Sequence, residues 1–327
     1  MREGVVLQER LSYKAAGVDI DAYKRMLERV TPLISATHGP EVVTGIGPFA
    51  GIYELPGGGR LAASADSVGT KVKVATACGC HRAIGHDIVN HCVNDVATAG
   101  AQPLFCLDYF ASGRLDEAVF SEVVGGLAEA CRANGCALLG GETAEMPGVY
   151  SPGDYDVVGF VIGYIDPSMR RDPVRAGDLL IGLPSSGLHT NGFSLARKVF
   201  EDVPLDHVFP ELGRPLGEVL LEPHRPYLND LRMLPWKAAA HITGGGLLGN
   251  IGRALPEGLA AELERSAWSV PPVFELIARR GRVADDEMLA TFNMGLGMVL
   301  VTDGPLPGLP VVGRVLEQAG SQRVSIR

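Results

Sequence analysis

Asp166-Pro-Ser-Met-Arg-Arg-Asp-Pro-Val-Arg-Ala-Gly177 is the stretch on which the reading of this sequence turns. It is polar, holds two prolines, and separates two apolar runs, Tyr155–Ile165 and Asp178–Leu183, that read as strands. A segment of this composition between two strands marks a junction between domains, because few core contacts cross it. It places an N-terminal domain at 1–167 and a C-terminal domain at 168–327. Upstream, Ile20, Tyr23, Leu27, Val30 and Ile34 form a helical stripe, with Asp19 as cap and Pro32 as its bend or end. Phe49–Leu55 and Leu61–Ala65 read as strands around the Pro56–Gly59 turn. The i+4 stripe Ile84, Ile88, Cys92, Val96 predicts a helix over 84–99, Pro103–Phe110 a strand, Leu115–Asn134 a helix closed by Gly135, and Cys136–Leu139 a strand. Downstream, Phe193–Phe200, Leu247–Ala254 and Val273–Arg280 read as helices, and Leu259–Leu263 and Met298–Thr302 as strands. Val311–Leu316 and Arg323–Ile326 are expected to close as a strand pair. Strands and helices mix in both halves without strict β-α-β alternation, so the class is α/β of the α+β type in two domains.

Composition narrows the function. The 327 residues include 42 glycines, about one in eight against roughly 7% on average. There is no Gly-X-Y period, and 46% hydrophobic residues suffice for a core. The surplus is therefore expected in turns, tight packing and backbone-lined binding loops. Lys plus Arg number 29 against 38 Asp plus Glu, a net charge of −9. That balance argues against a non-specific nucleic-acid binder and against a membrane-surface protein, while phosphate ligands need only local donors. No apolar run approaches the roughly 18–20 residues of a membrane span. Met1–Lys14, with Arg2, Glu3, Glu9 and Arg10, lacks the apolar stretch of a signal peptide, so the chain reads as cytoplasmic. All six cysteines lie between Cys78 and Cys136 without a Cys-x-x-Cys pair, and a chain of this length in a reducing compartment needs no disulfide.

Two motifs are set aside. Gly45-Ile-Gly-Pro-Phe-Ala50, with Asp66 beyond it, has the outline of a dinucleotide fingerprint, but Pro48 and a strand-like run follow where that fingerprint needs a helix. Cys78, Cys80, His81, His86, His91 and Cys92 are metal-ligand types, but their five-residue His steps drift around a helix and lack the paired spacing of structural zinc. No Walker A sequence is present. Ser64-Ala-Asp-Ser-Val-Gly-Thr-Lys71 reads as a strand ending in a carboxylate before a helix, where Asp66 suits Mg²⁺ and Gly69, Thr70 and Lys71 suit phosphate oxygens; a plain capped helix start fits equally well. Asp95, beside Asn94 on the 84–99 helix, and Glu142, in Gly140-Gly-Glu-Thr143 at the end of a strand, are further carboxylates that could converge on a hard cation. Two Gly loops in the second half, Ser185-Ser-Gly-Leu-His-Thr-Asn-Gly192 and His241-Ile-Thr-Gly-Gly-Gly246, each open a helix with free N–H groups that suit an anion.

Ser12–Ile20, Cys92-Val-Asn-Asp95, Phe105–Phe110, Leu138-Leu-Gly-Gly-Glu-Thr-Ala-Glu-Met-Pro147, Ser185–Gly192, Ile242–Gly246 and Thr291–Gly297 together resemble the phosphoribosylformylglycinamidine cyclo-ligase (aminoimidazole ribonucleotide synthetase) family of purine biosynthesis, in order from about residue 12 to 326. The resemblance implies an N-terminal ATP-binding domain whose sheet pairs in a homodimer and a C-terminal α/β domain. ATP would bind between the domains, with Mg²⁺ on Asp66, Asp95 and Glu142. It implies that ATP phosphorylates the formamide oxygen of formylglycinamidine ribonucleotide, after which the amidine nitrogen closes the imidazole and phosphate leaves. On that basis Lys14, His189 and His241 are the catalytic candidates. Gly47, Gly51, Gly69, Thr70, Lys71, Asn94 and Gly141 would face ATP, and Ser185, Ser186, Asn191, Thr243, Gly244 and Gly245 the substrate. The chain departs from the family at Pro48 and Ser67, where glycine is common, at His224-Arg-Pro-Tyr227, where Thr-Arg-Ile-Tyr is common, and in the short Pro305–Pro310 connection.

Overall fold

The computed structural model describes residues 10–327, so the reading of Arg2, Glu3 and Glu9 lies outside the described residues. The first half runs α1 (Ile20–Ser35), β1 (Val42–Thr44), β2 (Gly51–Glu54), β3 (Arg60–Ser67), α2 (Lys71–Cys78), α3 (Arg82–Thr98), β4 (Gln102–Ser112), α4 (Glu117–Asn134), β5 (Ala137–Glu145) and β6 (Tyr155–Ile165). The second runs β7 (Leu179–Pro184), α5 (Phe193–Val199), α6 (Leu216–Leu220), α7 (Leu228–Met233), β8 (Ala238–His241), α8 (Gly246–Ala254), β9 (Leu259–Leu263), α9 (Pro272–Gly281), α10 (Asp285–Thr291), β10 (Leu296–Thr302), β11 (Val311–Glu317) and β12 (Val324–Ile326). The segment opened by Asp166 joins two six-stranded sheets, ordered β1-β2-β3-β6-β4-β5 and β12-β9-β11-β7-β10-β8. Both are mixed. The parallel pairs are β4 with β5 and β12 with β9.

Local chemistry accounts for most elements. The Asp19 carboxylate accepts from Ala22 N–H to start α1, and Asp116 accepts from Ala118 and Val119 to start α4. Gly135 closes α4 in the left-handed conformation. The predicted stripe of α3, Ile84, Ile88, Cys92 and Val96, is wholly buried against the first sheet. Several boundaries differ from the sequence reading. β5 runs through Gly140–Glu145, because pairing with β4 carries the ladder past the glycines, so Glu142 lies inside a strand. Asp66 likewise lies within β3. β11 and β12 do not pair with each other; β9 lies between them. The exposed stripe of α1 includes Tyr23, Met26 and Leu33, and no α1 side chain is buried.

The α3–α4 crossing depends on glycine on both helices. A Cβ on Gly85 would lie 2.2 Å from the Val123 carbonyl, and one on Gly126 would lie 2.1 Å from the Arg82 carbonyl. Backbone lies opposite in both cases, so nothing cheap can give way. Gly125, in contrast, faces the flexible end of Arg82. Gly85→Ala is expected to cost about 1–3 kcal/mol or more in urea unfolding, whereas Gly125→Ala is neutral or stabilising. Equal stability of the two variants would show that the helices do not cross this closely.

Candidate functional site

α3 is buried all round from Asp87 to Ala97, and its second stripe is polar: Asp87, Asn90, His91, Asn94 and Asp95. This stripe faces the second domain, whose groups meet it one by one. Asn90 Nδ2 donates to the His224 carbonyl at 2.7 Å. Asn94 Nδ2 donates to the Arg225 carbonyl at 2.9 Å, and its Oδ1 accepts from Tyr227 N–H at 2.7 Å. Asp87 accepts from His224 N–H at 2.8 Å and pairs with the buried Lys71 ammonium at 2.8–2.9 Å. Both ends of the Asn94 amide are therefore committed, which removes it as an ATP contact.

Lys71 requires the same correction. Its three ammonium protons have three acceptors: Asp87, the His189 carbonyl at 3.1 Å and the Glu222 carbonyl at 2.8 Å. No surface of the side chain is exposed. Burial pushes the ammonium below its ordinary range, and Asp87 opposes that shift. Lys71 is thus a strut from α2 into the second domain, and it does not reach towards a phosphate.

The histidines and carboxylates at the boundary form one chain. His91 Nε2 bonds Asp66 Oδ2 at 2.9 Å and stands 3.9 Å from Asp95 Oδ2. His91 Nδ1 bonds Thr190 Oγ1 at 2.8 Å, which lies 3.4 Å from His224 Nδ1. His224 Nε2 meets His241 Nε2 at 2.9 Å, and His241 Nδ1 meets Asp95 Oδ1 at 2.8 Å. Ser64 Oγ donates to the other Asp95 oxygen at 2.9 Å. Burial pushes His91 down, but the carboxylates of Asp66, Asp95 and Asp87 outweigh it and raise it to about 9. Burial also works to raise Asp66, and His91 overrides it and holds the carboxyl below its usual range. Burial keeps His189, His224 and His241 below theirs. His189 has φ +63°, stacks on His224 at 4.0 Å, and accepts from Ser186 N–H through Nε2 at 3.1 Å; its buried Nδ1 has no partner. Gly297 makes room for it, since a Cβ there would lie 2.6 Å from His189 Cε1.

Glu142 does not join this group. Its row in the sheet runs Glu142, Tyr109, Val158, Ser67 across β5, β4, β6 and β3. Paired residues share a face and neighbours alternate, so Glu142 points from the face opposite Asp66, three strands or roughly 14 Å away. Asp95 is sealed by Ser64, His91 and His241. The expected three-carboxylate Mg²⁺ set therefore does not fit one ion within a single chain. Asp66 keeps 42% of its side chain exposed.

The glycines sort into two kinds. Gly45 packs against His38, Gly141 against the Asp108 backbone, Gly192 against the Phe292 ring and Gly246 against Leu289. Gly51 sits in register with Ala63 inside the sheet. Gly47, Gly69 and Gly140 face open space. A Cβ on Gly244 would lie 3.3 Å from Asn191 Oδ1, so the two predicted Gly loops do come together, with Gly245 and the buried Thr243 beside them. The Ser185 and Ser186 hydroxyls donate to Asn293 Oδ1 and the Pro223 carbonyl, so their protons build the loop and are not free for a substrate. Arg253 of α8 bonds the Gly47 and Pro48 carbonyls and lies over the Phe49 ring at 4.5 Å. Thr70 Oγ1 reaches Ser194 Oγ at 3.1 Å. Lys14 is exposed and paired with Asp19 at 2.8 Å, on a segment whose Tyr13 N–H is held by Glu287 at 2.6 Å.

Sequence reasoning missed Asp87 and His224 and passed over His91 as a boundary residue. The spacing 87, 90/91, 94/95 is visible as a polar helical period, and it was the signal for a buried interface. The set-aside Cys/His group does not assemble: His81 bonds Tyr155, His86 bonds Glu129, and Cys92 packs under Gly159. The Gly45 loop leads into β2, not a helix.

Two mixed-sheet domains meeting on a buried polar helix define the class to which the comparisons also point. The family described as AIR synthase related protein matches through its N-terminal domain at residues 47–165 and its C-terminal domain at 175–306. A phosphoribosylformylglycinamidine cyclo-ligase of Myxococcus xanthus is 51% identical over 303 residues, covering 89% of this chain and 88% of its own. One of Xanthomonas oryzae is 46% identical over 322 residues, covering 94% and 92%. The chain belongs to the phosphoribosylformylglycinamidine cyclo-ligase family. Among solved structures, AaThiL complexed with AMPPCP and TMP shares the fold at TM-score 0.62 and 17% identity, covering 98% of this chain and 96% of that one. A HypE–HypF complex chain does so at 0.62 and 17%, covering 91% and 95%. Among the described residues, no helix is long and apolar enough to cross a membrane.

The Asp66–His91 pair makes a pH prediction. His91 rises from 6.5 unfolded to about 9 folded, so its stabilisation is complete below pH 6.5 and is lost as pH climbs to about 9. The buried neutral His189, His224 and His241 work in the opposite direction, losing stability as pH falls through 6.5 and below. Urea unfolding of the wild type across this range is expected to show a maximum near neutrality. In His91→Gln the alkaline decline disappears and the acid decline remains. An alkaline limb identical in the two proteins would show that the pair does not form.

Proposed function

We propose that this chain closes the imidazole ring of aminoimidazole ribonucleotide from formylglycinamidine ribonucleotide, using ATP and releasing ADP and phosphate, as a homodimer in the cytoplasm. The single observation that carries the reading is identity of 46–51% over most of the chain to relatives named for this reaction. The domain boundary supports it, because the loops at Gly47 and Thr70 of the first half meet Arg253 and Ser194 of the second there. An amide oxygen is a poor leaving group. Transfer of the γ-phosphoryl group to it makes an imidate whose phosphate departs when the amidine nitrogen attacks the same carbon, with one proton lost. The attack is intramolecular, so positioning supplies much of the rate.

The residues divide by access. Asp66, Gly47, Gly69, Thr70 and the exposed Lys14 are placed to meet the nucleotide. Asn191, Gly244 and Gly245 are placed to meet the substrate phosphate through backbone and amide groups. Magnesium arriving with the nucleotide would neutralise charge at the transferring phosphoryl group, and Asp66 is the carboxylate free to touch it. His241, oriented by Asp95 and buried, and His189, held in its loop, set the geometry of the boundary. In this reading the N-terminal domain, 1–167, provides ATP binding and dimerisation, and the C-terminal domain, 168–327, provides substrate binding.

ADP release by the purified protein is expected to depend on added formylglycinamidine ribonucleotide, and Asp66→Asn is expected to lower kcat/KM by on the order of 100-fold. ADP release indifferent to that substrate would overturn the reading and favour another ATP-using member of this fold.

The uncovered sheet face supports the dimer. Phe160 and Leu107, paired neighbours on it, are 42% and 37% exposed, and Leu139 at the edge is 63% exposed. A face of this kind marks an interaction site. Phe160→Asp is expected to shift the sedimenting species from dimer to monomer; a wild type that sediments as a monomer removes the proposal.

A further inference from the structure

We infer that Asn250 and Arg253, neighbours on one side of α8, are positioning residues that turn the free N–H groups of two glycine loops towards ligand, one loop from each domain. Asn250 is buried, and its Nδ2 donates to the Thr243 carbonyl at 3.2 Å, the Gly244 carbonyl at 3.2 Å and the Gly246 carbonyl at 2.8 Å. Three residues on, and so on the same side of the helix, Arg253 donates through Nε to the Gly47 carbonyl and through Nη2 to the Pro48 carbonyl at 2.6 Å. Its guanidinium also covers the Phe49 ring. One helix of nine residues thus holds both the nucleotide-side loop and the substrate-side loop. The ligands given to those loops rest on the function proposed above.

The direction of the N–H groups follows from the peptide unit. In a planar trans peptide the C=O of one residue and the N–H of the next point in opposite directions, and among the described residues no peptide bond is cis. The Thr243 and Gly244 carbonyls, drawn to Asn250, therefore turn the Gly244 and Gly245 N–H groups away from it. The Pro48 carbonyl, drawn to Arg253, turns the Phe49 N–H away in the same manner. The Gly47 carbonyl precedes Pro48, which has no N–H, so Phe49 supplies the donor of that turn. Among the described residues these three N–H groups have no backbone acceptor. Unpaired N–H groups turned outward are what a phosphate requires. The loops cannot hold this shape unaided. Gly47 has φ +123° with open space beside it, and Gly245 has φ +94°. Glycine backbone adopts many conformations, and the two α8 side chains select one.

The test uses the full-length protein. Arg253→Met keeps most of the side-chain length and removes both donors. It is expected to raise the KM for ATP roughly tenfold, the usual weight of a hydrogen bond from a charged group, while the KM for formylglycinamidine ribonucleotide stays in place. Asn250→Asp keeps the shape and removes the amide donors, and is expected to raise the KM for the ribonucleotide and spare that for ATP. Chymotryptic cleavage after Phe49 without ligand reads the Arg253 clamp independently of activity, and is expected to be roughly tenfold faster in Arg253→Met. Unchanged cleavage at Phe49 in a folded Arg253→Met overturns the inference, and so do two KM values that rise together or not at all. Arg253 is exposed, so this arm decides even where Asn250→Asp fails to fold. Wild-type ADP release indifferent to the ribonucleotide would remove the proposed function alone, and the cleavage rate would still decide whether Arg253 holds the loop.

Discussion

The structure depends on the burial of one helix face. Asp87, Asn90, His91, Asn94 and Asp95 would cost several kcal/mol if taken from water without partners. Each finds its partners in other elements, and most of these come from the other domain, chiefly the backbone of His224–Tyr227. The domains are therefore joined by directional bonds, and their relative placement is fixed more tightly than apolar contact alone would fix it. The Lys71–Asp87 pair illustrates the logic. A buried ion pair adds little net stability, but removing either partner strands a charge. What it provides is position, because the same ammonium holds the His189 carbonyl and the Glu222 carbonyl.

Glycine follows from the same close packing. Where two helices cross at Gly85 and Gly126, or a ring fills the space beside Gly192, the missing Cβ is a packing requirement. Where Gly47, Gly69 and Gly140 look into open space, no neighbour demands glycine. Composition alone counts both kinds together, so a surplus of glycine overstates the number of loops that touch ligand.

The sequence made the periodic parts legible. The apolar stripe of α3, the Asp19 cap and the Gly135 close of α4 rest on local rules, and the structure shows each of those features. Long-range pairing was not legible. β9 separates β11 from β12 because register is set by the whole sheet, and no local signal reports it. At the site, the carboxylates Asp66 and Asp95 were visible as residues, but Glu142 was grouped with them on motif alone. Strand alternation, which turns it to the other face, emerges only once β5 is known to continue through the glycines. Lys71 looked like a phosphate donor for a similar reason: spacing shows where a side chain starts, and burial decides where it ends.

The charges at the boundary are balanced before any ligand arrives. Lys71 answers Asp87, and His91 stands between Asp66 and Asp95. Burial pulls the Arg253 guanidinium below its ordinary range, and the fields of Asp95 and Asp66 pull it back, while its N–H groups are occupied by the Gly47 and Pro48 carbonyls. A triphosphate entering such a place does not meet a cluster of unpaired basic side chains. It must bring its own counter-ion or displace a partner from an existing pair, and otherwise rely on N–H groups that carry no net charge. The side-chain charges at this boundary are thus spent on holding the domains in place, which leaves uncharged backbone N–H groups as the donors that an anion would have to use.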